Sequence, residues 1–95
     1  MNATLDWETV SYVFSSELRL KTLLELNRSK YTPKQLSMSL KQPISHISKA
    51  LKELTTKGLV ECLTPNRKKA RLYSITKEGV QVLNEINRLT KTEKS

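Results

Sequence analysis

PISHISKALKELTTKGLVECLTPNRKKARLY, residues 43–73, decides how the rest of this chain is read. Ile44, Ile47, Leu51 and Leu54 recur at the spacing of a single helix face. Ser45, His46, Ser48, Lys49, Lys52 and Thr56 fall on the opposite side. Pro43 marks the start of this helix, and Gly58, just past its last apolar turn, marks the end. Beyond the glycine, residues 59–63 and 71–75 are two β-prone runs separated by a Pro-Asn turn, which predicts a hairpin whose tip is PNRKKAR, residues 65–71. The stretch thus encodes a helix with a small polar and basic outward face, followed at once by a basic β-hairpin.

The distribution of charge points to the same stretch. The chain carries 17 Lys and Arg against 9 Asp and Glu, a net +8 with a pI near 9.8. Residues 41–71 hold eight bases (Lys41, Lys49, Lys52, Lys57, Arg67, Lys68, Lys69 and Arg71) and two acids, Glu53 and Glu61, so +6 of that +8 lies in one third of the sequence. A well-solvated basic surface would spread its charge more evenly. Charge concentrated on one helix and one hairpin favours a polyanion, nucleic acid before an anionic membrane.

Working outward, Trp7, Val10 and Phe14 give the apolar spacing of a short amphipathic helix, and Ser15 or Ser16 can cap a second one, with one bent helix as the alternative to two. That second helix carries Leu20, Leu23 and Leu24, with Val13 or Leu26 continuing the face to about Leu26. A polar break is expected over residues 27–31. Thr32-Pro33-Lys34-Gln35 then combines a capping pair with proline at the first helical position, starting a short helix with Leu36 and Leu40 inward and Ser37 small enough for close packing. Lys41 and Gln42 form the turn into the helix already described. Thr76 caps a last helix, with Glu78 in its first turn and Val80, Leu83, Ile86 (or Asn87) and Leu89 as its stripe. The ends, residues 1–5 and 91–95, are expected to be disordered. Ninety-five residues allow one domain with a modest core. The order is helix, helix, helix, reading helix, strand, strand, helix: mostly α with a small β-hairpin wing, the order of a winged helix-turn-helix.

ISHISKALKELTTKGLV (residues 44–60) and LYSITKEGVQVL (residues 72–83) resemble, respectively, the recognition-helix run and the wing-to-last-helix run of small winged-helix transcriptional regulators of the ArsR/MarR kind, notably archaeal ones. The resemblance covers roughly residues 7–90. It implies a homodimer on a pseudo-palindromic operator in double-stranded DNA, the reading helix filling the major groove and the wing lying along the backbone. On this reading Pro43, Ser45, His46, Ser48, Lys49 and Lys52 read bases or clamp phosphates. Asn66, Arg67, Lys68, Lys69 and Arg71 hold the flanking backbone or minor groove. The terminal helices, through Trp7, Val10, Phe14, Val80, Leu83, Ile86 and Leu89, supply the dimer contact. Two departures stand out. The glycine usual in the helix-turn-helix turn is missing, so Lys41 or Gln42 has to take its backbone, at a cost of about 1–2 kcal/mol if that backbone is left-handed. The paired cysteines of the ArsR metal motif are also missing, so metal sensing does not carry over.

Lys49 and Lys52 have the reach for guanine edges or phosphates. Ser45, Ser48 and His46 are short and must act close to the helix N-terminus, where free N–H groups also attract phosphate. With no arginine on this face, base specificity from the helix alone is modest. An architectural, sequence-indifferent DNA binder and a winged-helix protein-docking module therefore remain as alternatives.

One cysteine and one histidine build neither a disulfide nor a structural zinc site. Cys62 is expected to pack as a small hydrophobe, with a redox-sensing thiol as the alternative, and Tyr31 and Tyr73 to pack with their hydroxyls at the surface. The sequence shows no Gly-rich phosphate loop, no nucleophile motif and no paired carboxylates, so an enzyme, a cofactor and a small-molecule ligand are not expected. Asp6 and Glu8 interrupt any signal-like start and no apolar run approaches a membrane span, so a cytoplasmic, nucleoid-associated protein is expected.

Overall fold

The computed structural model describes residues 7–91 of the chain. Five helices and one hairpin follow the expected order: α1 Trp7–Phe14, α2 Glu17–Arg28, α3 Pro33–Leu40, α4 Ile44–Thr56, β1 Val60–Cys62, β2 Tyr73–Ile75 and α5 Lys77–Lys91. Lys91 closes α5; residues 1–5 and 92–95, where disorder was expected, lie outside the described residues.

The helix boundaries follow the capping chemistry. Ser16 ends the first helical run and caps the second, its hydroxyl accepting from the Arg19 N–H. Thr32 and Gln35 form the full capping box, each side chain bonding the other's backbone N–H, with Pro33 in the first turn. Helix α4 stops at a two-bond C-terminal lock: the Leu59 N–H donates to the Leu54 carbonyl and the Gly58 N–H to that of Thr55. Gly58 sits at φ +77, a left-handed backbone that glycine adopts without a Cβ clash. Buried Leu54 and Leu59 are the apolar pair that accompanies this lock. Between α3 and α4 the left-handed position falls on Lys41, at φ 57 and ψ 48; the Gln42 N–H and the Ser37 hydroxyl close the turn.

The core is built from all the helices. Val10 and Val13 of α1, Leu23 and Leu26 of α2, Leu36 of α3, Ile47, Ala50, Leu51 and Leu54 of α4, Leu59, Val60, and Val82, Leu83 and Ile86 of α5 are buried together. Four positions differ from the sequence expectation. Leu24 and Ile44 stand 46% and 51% exposed: at about 100° per residue Leu24 falls on the side of α2 opposite buried Thr22, Leu23 and Leu26, and Ile44 at the edge of the buried arc of α4. On α5, Val82 rather than Val80 faces the core, and Leu89 is exposed. Helix α2 also runs two residues past Leu26, so the polar break begins at Ser29.

The hairpin pairs Val60 with Ile75, Glu61 with Ser74 and Cys62 with Tyr73. Tyr31, just before α3, adds an isolated antiparallel bridge to Tyr73, with two backbone bonds of 3.2 and 2.9 Å. The hairpin is thereby tied to the segment that launches α3. The Tyr31 hydroxyl donates to Glu25, and that bond, with burial, holds the phenol above its ordinary pKa. At the other end Thr76 accepts from the Gly79 N–H and donates to the Gly58 carbonyl, fastening α5 to the end of α4.

Candidate nucleic-acid interface

Helix α4 turns about 100° per residue, so its buried stripe of Ile47, Ala50, Leu51 and Leu54 leaves a contiguous outer face. Ser45, Lys49, Lys52 and Thr56 run down its middle, Ser48 lies on one flank and His46 on the other, and all six are exposed. Pro43 is the N-cap, exposed, and offers no side-chain cap, so the first-turn N–H groups of α4 are not claimed by a side chain. The six positions expected to face a duplex are therefore together and accessible.

The hairpin tip is organised by its own polar groups. The Leu72 N–H donates to the Thr64 hydroxyl and the Arg67 N–H to the Thr64 carbonyl, so Thr64 closes both sides of the Pro65–Asn66 turn. The Arg67 guanidinium reaches the Ala70 carbonyl at 3.2 Å, and Arg71 Nε reaches the Arg67 carbonyl at 2.6 Å. Ala70 takes a left-handed backbone, φ 53. Two of the four cations at the tip thus hold the wing's shape, while Lys68 and Lys69 extend from it and are exposed, as is Asn66.

An open groove of about 350 Å³ separates α4 from the wing. Ser48, Lys52 and Thr55 line its helix side and Cys62, Arg71 and Tyr73 its hairpin side, with Pro33 at its margin. Cationic side chains flank it from both elements, a suitable seat for a backbone of phosphates. Half-buried Cys62 is among the residues that line this groove. Among the described residues no cluster of three His, Cys, Asp or Glu could hold a metal, and no helix is long and apolar enough to cross a membrane.

The expected dimer residues are divided by the structure. Val10, Leu83 and Ile86 belong to the core of the single chain, since α1 and α5 pack on each other through them. Val80 is half-buried. Trp7, Phe14 and Leu89 remain on the outside, 60%, 56% and 41% exposed, around an apolar cleft of about 280 Å³.

Neither a family model nor a curated protein matches the chain. Solved structures do. A mutant of the Escherichia coli MarR protein in complex with operator DNA superposes with a TM-score of 0.75 at 25% identity, covering 90% of this chain and 63% of that one. The transcriptional regulator BldR from Sulfolobus solfataricus gives 0.70 at 26% identity over 81% of this chain and 56% of its own. The chain is a MarR-like winged-helix protein. A mutant of ZitR from Lactococcus lactis, at 23% identity, shares the fold with a TM-score of 0.70. The MarR-like chain spans between 53% and 65% of the length of such neighbours. Within this fold the α3–α4 pair is the helix-turn-helix and the residue 60–75 hairpin is the wing.

Sequence reasoning missed three features of the site. Tyr31 acts as a third strand position, Thr64 organises the wing, and Arg19 of α2 forms an ion pair with Glu53 of α4. Thr64 was signalled by its place before Pro-Asn. The other two join residues 42 and 34 positions apart, and no local pattern marks them.

Proposed function

We propose that this MarR-like chain is a DNA-binding transcriptional regulator that acts as a homodimer on an inverted-repeat operator. The observation that carries the reading is the joining of two cationic, accessible surfaces, the outer face of α4 and the wing, across one groove. Lys49 and Lys52 would contact base edges or phosphates in the major groove, and Ser45, Ser48 and His46 would act where the α4 N-terminus approaches the duplex. Lys68 and Lys69 would take flanking phosphates, with Arg67 and Arg71 shaping the wing that presents them. The exposed Trp7, Phe14 and Leu89 cleft supports self-association through the terminal helices. A dimer built this way would present two copies of α4 to successive major grooves of a cytoplasmic, nucleoid-bound operator.

The absence of arginine from the outer face of α4 supports a second reading, a sequence-indifferent architectural binder, because arginine is the strongest reader of guanine. Selection from a random duplex library at about 150 mM salt separates the two, since phosphate attraction is already weakened there. The regulator reading expects an enriched inverted repeat with half-sites about one turn apart. Binding without enrichment would favour the architectural role, and no binding would favour a protein-docking module.

A further inference from the structure

Helix α4 rests on the body through its apolar stripe, and apolar packing resists separation better than it resists rotation. Among the described residues, one side-chain bond ties α4 to another helix: Arg19 Nη1 of α2 donates to Glu53 Oε1 at 3.0 Å. Arg19 is itself held from three sides. Its Nε and Nη2 donate to the Tyr12 carbonyl at 3.0 and 2.8 Å, and Nη2 also reaches the Ser15 hydroxyl at 3.1 Å. Its guanidinium carbon lies 3.7 Å from the centre of the Tyr12 ring. The two side chains are 14% and 26% exposed, so the pair is largely shielded from solvent. Glu53 lies one turn beyond Lys49, on the flank where His46 and Lys49 face the start of α2 across a cleft of about 220 Å³.

We propose that Arg19 and Glu53 form a positioning clamp that fixes the rotation of α4 against the α1–α2 corner, and so sets DNA affinity without either side chain touching DNA. This accounts for an acid on an otherwise basic helix. A carboxylate near the DNA face costs affinity by charge alone, and here it serves as the anchor point for a preorganised guanidinium fork. The clamp also runs from α1, whose carbonyl orients Arg19, to the reading helix, so movement of the terminal helix would be felt at the DNA face. The inference rests on the DNA-binding reading of α4.

The test compares Glu53→Ala with Glu53→Gln. Both remove the same negative charge, but only glutamine keeps an oxygen to accept from Arg19. Affinity is measured on a labelled duplex of about 30 base pairs, taken from the selection above or, without enrichment, from the random pool, with thermal melting to verify that each variant is folded at the assay temperature. The clamp predicts Glu53→Gln at or above wild-type affinity and Glu53→Ala weaker than Glu53→Gln by about three- to tenfold. In an Arg19→Lys background, where charge is kept and the fork is lost, the alanine and glutamine variants should bind alike, and Arg19→Lys alone should leave the salt slope unchanged. Equal affinities of the alanine and glutamine variants in the wild-type background would overturn the clamp while leaving DNA binding intact. So would an Arg19→Gln variant whose salt slope falls by about 0.9, the mark of a direct phosphate contact. A wild-type protein that binds no duplex would overturn both readings.

Discussion

Single residues show where this chain departs from the least-strained solution. Lys41 sits in the left-handed region at φ 57 because the α3–α4 turn closes through the Gln42 N–H to the Ser37 carbonyl, and that closure requires the conformation whatever the side chain. Lys41→Gly is expected to raise stability by about 1 kcal/mol, relief of the Cβ clash exceeding the entropy glycine gains when unfolded, and urea denaturation with an unchanged m value would establish it. Thr22 is fully buried on α2 with no partner for its hydroxyl. Thr22→Val keeps the shape and removes the unsatisfied group, so it should also stabilise, by about 1 kcal/mol; a loss of stability would show that the hydroxyl is satisfied in solution. The missing turn glycine was legible in the sequence, with Lys41 and Gln42 both open as its replacement; the structure places the left-handed backbone at Lys41. Thr22 was not legible, because a lone threonine at an inward position carries no signal about its hydroxyl's neighbours.

At the scale of elements, the helices were set by their caps and stripes, and the wing by turn chemistry. The wing's cations, read in sequence as one run, separate into two kinds. Arg67 and Arg71 bond backbone carbonyls of the tip, whereas Lys68 and Lys69 do not. Lys68→Gln and Lys69→Gln should therefore each lower the slope of log affinity against log salt by about 0.9, similarly on all sequences. Thr64→Val should leave that slope nearly intact while weakening binding severalfold, since it removes the hydroxyl that accepts from Leu72 and leaves every cation in place. A wing that contacts nothing would leave both measurements at the wild-type value. Helix α5 shows the other side of element reading. Of its expected stripe, Leu83 and Ile86 are buried but Val80 and Leu89 are not; the rotation is set by Gly79, where an added Cβ would lie 2.4 Å from the Leu59 carbonyl oxygen. That close approach turns Val82 inward.

For the whole molecule, the informative asymmetry is between two ends. The α4 and wing surface is polar and cationic, whereas the α1–α5 end exposes Trp7, Phe14 and Leu89 around an apolar cleft. In the dimer proposed above, a second copy would cover these apolar side chains. Trp7→Glu with Phe14→Glu should shift the protein to a monomer in sedimentation. It should also weaken binding to an inverted repeat far more than to a single half-site, because linked half-sites gain from effective concentration. Equal loss on both duplexes would mean that the terminal helices act on the fold rather than on pairing.

The sequence by itself determined the order of elements, the helix starts at Thr32 and Pro43, the stop at Gly58 and the gathering of +6 charge in residues 41–71, the stretch that holds α4 and the wing tip. These are local matters: capping, backbone conformation and periodicity depend on residues within a turn or two of one another. Tertiary structure alone decided which half of each apolar stripe became core, so that Val10, Leu83 and Ile86 went inside while Trp7, Ile44 and Leu89 did not. It also decided that Tyr31 would bridge Tyr73 and that Arg19 would meet Glu53. Those outcomes depend on how helices are rotated against one another, and that rotation is set by the sum of many weak contacts between residues far apart in the chain.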